Sequence, residues 1–222
     1  MWTWSLDWGE VGPTLLIGSC PMRPADLQRI RRRSGATAVL SLQHDDCLAY
    51  WGIDYVQMLV AGARNGLRME RCQMRDFDIE DQQRRLPSAV AMLTRLQRQG
   101  HRTYVHCTAG LGRSPLTVWA YLVMVEGWEA ARAIETIRRV RPAAVPSWEA
   151  LQGCREALLA KREKEVVERA YTLYRQGTPG DAQGHWLLAQ QQVLREWFTD
   201  GAFDVAMEQT ENGDSDLKPN SQ

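Results

Sequence analysis

The sequence predicts an α/β protein: a central, mostly parallel sheet flanked by helices, with a helical hairpin added at the C-terminal end. Three observations predict it. Short β-rich runs alternate with helix-length amphipathic segments through the first two thirds of the chain, the pattern of parallel strands joined by crossover helices. The apolar run Thr103-Tyr104-Val105 passes through a glycine-containing segment into Ser114-Pro115 and a second apolar stretch, which reads as strand, tight loop and helix. Beyond the charged run Lys161-Arg162-Glu163-Lys164-Glu165, two amphipathic segments flank a Gly177-Thr178-Pro179-Gly180 turn.

In order along the chain, residues 14–18 read as the first strand. Pro24-Ala25-Asp26 starts a helix through residue 33, closed by Gly35. Residues 37–42 alternate and are β-rich, a second strand. Residues 53–63 form an apolar segment read as helical, ending near Asn65-Gly66, and residues 69–74 a third strand. Pro87 opens a helix to about residue 99, with apolar positions at 90, 93 and 96. Residues 101–106 are the central strand that delivers the loop. Helices follow over about 115–126, 129–140 and 147–161, the last two separated by Pro142 and Pro146. The hairpin comprises residues 166–175 and about 182–199. The predicted organisation is a catalytic domain over 1–161, a helical appendage over 162–200 and a disordered acidic tail over 201–222.

Bulk properties narrow the function classes. Lysine plus arginine and aspartate plus glutamate are equal at 27 each, which gives no reason to expect nucleic acid or an anionic membrane as partner. No window approaches the ~18 uncharged apolar residues of a membrane span. The Met1-Trp2-Thr3-Trp4 start lacks the basic and apolar regions of a secretory signal and is not rich in arginine and serine, so a cytoplasmic location is expected. A mature plastid protein would read the same way if the source were photosynthetic. Five cysteines scattered at 20, 47, 72, 107 and 154 fit a reducing compartment better than a disulfide framework. Of the nine tryptophans, Trp119 suits core packing, whereas Trp2, Trp4 and Trp8 crowd a polar start. Oligomeric state is left open.

Residues 106–114, His-Cys-Thr-Ala-Gly-Leu-Gly-Arg-Ser, carry the chemistry. A glycine-containing loop at a helix start aims backbone N–H groups at one anion. Thr108, Ala109, Gly110, Leu111, Gly112, Arg113 and Ser114 would line it. Cys107, at the strand end, would sit in that positive field as a thiolate, with a pKa of roughly 3.5–7.5 instead of about 8.5. Arg113 can clamp the anion with two parallel hydrogen bonds. Ser114 can donate to the sulfur or cap the helix, and His106 can order the loop through a ring N–H. Cleaving a phosphoester also needs a proton donor for the leaving oxygen. Arg75-Asp76-Phe77-Asp78 offers two carboxyls in a loop 31 residues before Cys107, counted from Asp76, one for this role and one for capping. No metal or other cofactor is required. His44 beside Asp45, Asp46 and Cys47 lacks a second ligand pair at metal-binding spacing and reads as a surface loop.

The 107–113 run resembles the signature loop of cysteine-dependent protein tyrosine and dual-specificity phosphatases. Its form Cys-x-Ala-Gly-x-Gly-Arg is similar to the glucan phosphatases that dephosphorylate starch or glycogen. The similarity extends over about residues 14–160: Leu15-Leu16-Ile17-Gly18-Ser19-x-Pro21, Leu42-Gln43-x-Asp45 with Tyr50-Trp51-Gly52-Ile53-Asp54, Arg75-Asp76-Phe77-Asp78 with Leu86-Pro87, and Arg139-x-Arg141-Pro142. The resemblance implies a tyrosine/dual-specificity phosphatase fold, a phosphocysteine intermediate on Cys107, and Asp76 as general acid. Two departures stand out: the chain has no room for a carbohydrate-binding module, and its hairpin differs from the tail of the plant type.

Sugar recognition also has a direct physical case. Glucose rings pack flat C–H faces on aromatic rings while their hydroxyls stay wet. Tyr50-Trp51, in a second loop, and Phe77, beside the candidate acid, can line a channel to Cys107; each can equally staple its own loop. Phosphoglucan is therefore the expected substrate, against a phosphoprotein phosphatase or a non-catalytic phosphoglucan-binding scaffold.

Overall fold

The computed structural model describes residues 3–200; Trp2 and the predicted acidic tail lie outside them. Five strands form one sheet in the order β1(Trp8–Gly12), β2(Leu15–Gly18), β5(Thr103–His106), β3(Ala38–Gln43), β4(Arg68–Met74). Only β1, paired with β2, runs antiparallel; β2, β5, β3 and β4 are mutually parallel. β2, β5 and β3 are buried along their whole length, as parallel strands covered on both faces must be.

Period-two alternation divides their side chains between two layers. Leu15, Ile17, Ala38, Leu40 and Val105 join the larger core, with α4(Ile79–Arg98), α5(Arg113–Met124), α6(Ala130–Val140) and α7(Trp148–Ala160). Leu16, Val39 and Tyr104 face the smaller one, with α1(Pro24–Ser34), α2(Asp45–Trp51) and α3(Tyr55–Arg64). Trp4 and Trp8 pack on that second core, and the Trp4 indole N–H donates to the Cys20 carbonyl at 3.0 Å, so the aromatic start is structural.

Three elements differ from the sequence expectation. An extra strand, β1, precedes the one expected first; its two glycines and bulged register between Glu10 and Gly12 erase the alternation that marks a strand. Residues 45–51 are a helix, α2, where loops were expected around His44 and at Tyr50-Trp51. The His44 ring caps α2 by accepting from the Asp46 N–H at 3.3 Å, and Gly52 (φ 61°) ends it. Pro87 does not open a helix: α4 begins at Ile79, capped by Asp78, and Pro87 lies in its interior. The polar first turns hid that start, and the missing proline N–H removes one helical hydrogen bond without ending the helix.

The C-terminal hairpin, α8(Glu163–Arg175) and α9(Ala182–Thr199), is docked through α9. Leu194, Trp197 and Phe198 belong to the larger core, while Ala189 and Val193 pack on Val166 and Leu173 of α8. Leu194→Ala should therefore lower the stability of the whole chain by about 2–4 kcal/mol in urea unfolding, with far-UV circular dichroism and phosphatase activity lost together. Activity that outlasts the helical signal would mean the hairpin folds independently.

Candidate active site

Parallel register sets the place of the site. Gly18 and Ser41 lie level with His106 on either side, so Cys20, Gln43 and Cys107 meet at the carboxyl ends of β2, β3 and β5. The chain then loops through 107–112 into α5, whose first residue is Arg113; Gly112 is the N-cap and Ser114 lies inside the first turn, not at the cap.

Five consecutive carbonyls of this loop accept hydrogen bonds from residues outside the 107–113 run. Cys107 O faces the His106 ring Nδ1 at 3.0 Å, which must carry the proton there, and Thr108 O accepts from the Cys20 N–H at 2.9 Å. Ala109 O and Gly110 O accept from the Arg141 guanidinium at 2.8 and 3.4 Å, and Leu111 O from the Val145 N–H at 2.7 Å. In a trans peptide the C=O and the following N–H point opposite ways. Tying the carbonyls back therefore turns the N–H groups of 108–112 inward, as an anion cradle needs. Gly110 is required twice over, by φ 72° and because a Cβ there would meet the Gly18 carbonyl at 2.5 Å. Burial drives the His106 pKa down to about 4, so its ring is a neutral donor in the loop and not a proton shuttle.

Cys107 is buried, and burial opposes its ionisation. The Arg113 charge, the Ser114 hydroxyl 3.4 Å from its sulfur and the Ser114 N–H outweigh that, and its pKa falls below the ordinary thiol value. The other buried cysteines shift the opposite way: burial alone pushes Cys154 up to about 12, and with burial as the largest cause Cys20 rises to about 12 and Cys72 to about 11. Cys107 is the sole buried cysteine among the described residues held ready to ionise.

Arg113 is completely buried. One Nη donates to Met74 O at 2.9 Å and to Leu42 O and the Cys47 sulfur, each at 3.4 Å; the other reaches Asp76 Oδ2 at 2.7 Å and the Thr108 hydroxyl at 3.2 Å. Its Nε–H is buried with no hydrogen-bond partner. Such a donor costs about 1–3 kcal/mol, more when charged, a debt that a bound oxyanion can cancel.

The two acids of the 75–78 loop separate cleanly. Asp78 Oδ1 accepts from the Asp81 N–H at 2.9 Å and caps α4, while Asp76 pairs with Arg113. The loop is pinned at its start by Asp81, which accepts from the Arg75 N–H at 2.7 Å, and by an Arg75–Asp46 ion pair at 3.0 Å. Phe77 sits between them at φ 58° with its side chain 94% exposed. A left-handed phenylalanine with no core contact costs of order 1–3 kcal/mol and gains nothing for the fold. Two clefts meet at Asp76 and Phe77: one of about 490 Å³, lined by Tyr50, Trp51 and Cys47, and one of about 400 Å³, lined by Cys107, Leu111 and Val145. Tyr50 (81% exposed) stacks edge-on with Trp51 at 5.2 Å between centroids.

The structure thus brings together Cys107, Arg113, Asp76, Ser114 and the 108–112 backbone, with Phe77, Tyr50 and Trp51 around the approach. Sequence reasoning missed Arg141 as a loop contact, and Cys47, Leu42 and Met74 as partners of Arg113. Arg141 was visible only as a helix-end residue, and no local pattern marks the others.

An acidic thiol in an anion cradle, closed by a buried arginine and faced by a carboxyl, defines a cysteine-dependent phosphatase. Residues 38–156, more than half of the chain, match the family model "Dual specificity phosphatase, catalytic domain", and the chain belongs to that family. It is 32% identical over 164 residues to the amyloplastic phosphoglucan phosphatase DSP4 of Castanea sativa, covering 73% of this chain and 43% of that protein. Mouse laforin is 28% identical over 156 residues, covering 63% and 45%. Human phosphatidylglycerophosphatase and protein-tyrosine phosphatase 1 is 26% identical over 136 residues, covering 61% and 65%. The chain thus spans less than half the length of DSP4 and laforin. Among solved structures, PTPMT1 superposes with a TM-score of 0.54 at 22% identity, covering 71% of this chain and 99% of that one, which shows the shared fold.

Iodoacetamide alkylation of Cys107 should reach half its plateau rate at lower pH than an ordinary thiol, because the reactive thiolate persists above its lowered pKa. Ser114→Ala removes one stabilising donor and should move that midpoint to higher pH. An unchanged midpoint means the hydroxyl does not act on the sulfur.

Proposed function

We propose that the enzyme removes phosphate monoesters from a glucan through a phosphocysteine intermediate. The Cys107 thiolate attacks phosphorus in line, the cradle N–H groups and Arg113 hold the non-bridging oxygens, and Asp76 gives its proton to the departing sugar oxygen. Water then attacks the phosphocysteine, Asp76 takes the water's proton back, and Ser114 donates to the leaving thiolate. Asp76 begins bound to Arg113. Incoming phosphoryl oxygens compete for that guanidinium and so release the Asp76 carboxyl toward the leaving oxygen.

Phe77 carries the substrate assignment. A strained, exposed ring beside the proton donor, between two clefts and facing Tyr50 and Trp51, supports a ligand that extends past the phosphate and offers flat C–H faces. The likeness to DSP4 and laforin supports the same class. A phosphopeptide or a phospholipid headgroup needs the cradle but not an aromatic cleft beside it. No helix of the described residues is long and apolar enough to cross a membrane.

Phosphate release from solubilised phosphoglucan, phosphopeptides and phosphatidylglycerophosphate vesicles tests this directly. Glucan should give the highest kcat/KM, Cys107→Ser should abolish turnover, and clear preference for peptide or lipid would overturn the assignment. Phe77→Ala should cut glucan kcat/KM about tenfold or more while changing p-nitrophenyl phosphate hydrolysis far less, since a small aryl ester reaches only the cradle. Equal losses on both substrates would reduce Phe77 to support of its loop.

A further inference from the structure

The charged contact behind the phosphate loop is made by residues to which the chemistry assigns no part. Arg141, buried just past α6, is the sole side chain among the described residues that bonds two loop carbonyls, Ala109 O and Gly110 O. Its remaining Nη pairs with Asp7 Oδ1 at 2.8 Å, so each guanidinium nitrogen has a partner and the carboxylate sets the direction of the group. Asp7 belongs to a segment that is itself held firmly. The Asp7 N–H donates to the Ser19 hydroxyl at 3.1 Å, the Ser19 N–H donates to Asp7 O at 3.1 Å, and the Tyr104 hydroxyl donates to Ser19 O at 2.8 Å. The next residue, Cys20, supplies the N–H that holds Thr108 O. Three consecutive loop carbonyls, 108 to 110, thereby depend on the Asp7–Ser19–Arg141 cluster. Gly110 leaves room for the guanidinium: a Cβ there would come within 2.8 Å of an Arg141 nitrogen.

We infer that Asp7 and Arg141 are positioning residues for the phosphoryl-transfer reaction, an ion pair outside the substrate site that keeps the 109–110 carbonyls turned away and so keeps the cradle N–H groups on the anion. The inference rests on the 107–113 loop being the phosphate site, and is indifferent to which phosphoester is the natural substrate. Asp7, half-exposed, lines neither of the clefts that meet at Asp76 and Phe77; it sets where Arg141 points.

The test uses the full chain with p-nitrophenyl phosphate as substrate, orthovanadate as the oxyanion probe and iodoacetamide alkylation of Cys107 as a function of pH. Arg141→Met should weaken vanadate inhibition by about tenfold to a hundredfold, less than the loss from deleting an oxyanion donor itself. It should also move the alkylation midpoint to higher pH. Arg141→Lys should recover part of both, since it restores the charge but not the fork. Asp7→Asn, on the surface, should shift both readouts the same way by a smaller factor, with its urea midpoint near wild type. If Arg141→Met does not fold, Asp7→Asn decides alone. Wild-type vanadate inhibition and alkylation midpoint in every folded variant would overturn the inference. So would loss of activity that only follows the folded fraction. Failure to hydrolyse any phosphoglucan would leave this result untouched and would count against the substrate assignment alone.

Discussion

A peptide chain offers an anion its N–H groups only if its carbonyls have somewhere else to go. Here that constraint governs the molecule. Carbonyls 107–111 are taken by the His106 ring, the Cys20 amide, the Arg141 fork and the Val145 amide, drawn from three different parts of the chain. Remove those acceptor contacts and the loop would relax toward ordinary turns with mixed peptide orientations. The sheet topology serves the same end, since the parallel pairing of β2, β5 and β3 is what brings Gly18, His106 and Ser41 level.

The front of the site works by a different economy. Arg113 is buried with one donor unmet, and Phe77 is exposed in a conformation that costs energy. Neither helps the empty protein fold. Both are stabilised by a ligand that brings oxyanions to one and an apolar face to the other. Features that are unfavourable alone and favourable with ligand are what distinguish a site from a well-packed surface.

Much of this was legible in the sequence. The 106–114 run announced strand, loop, helix and nucleophile together because all of its chemistry is local, down to the spacing of Cys107 and Arg113. Strands β2 to β5 and the later helices showed through periodicity. Less was legible where length or context overrode pattern: β1 with its two glycines, the seven-residue α2, and the polar opening turns of α4. Between Asp76 and Asp78 composition cannot choose; geometry does, since one pairs with Arg113 and the other caps a helix. The Asp7–Arg141 pair spans 134 residues and follows no motif, so only the folded chain reveals it.

That span has a further meaning. Arg113 reaches back 71 residues to Leu42 and 39 to Met74, and Asp7 reaches forward to Arg141. Contacts of such sequence separation form slowly, because each must first overcome the entropy of closing a long loop. The site that holds Cys107 acidic is therefore completed only by contacts between distant parts of the chain. The 106–114 segment alone lacks the distant partners that orient Arg113 and the loop, so the reactivity of this thiol belongs to the assembled fold and not to its motif.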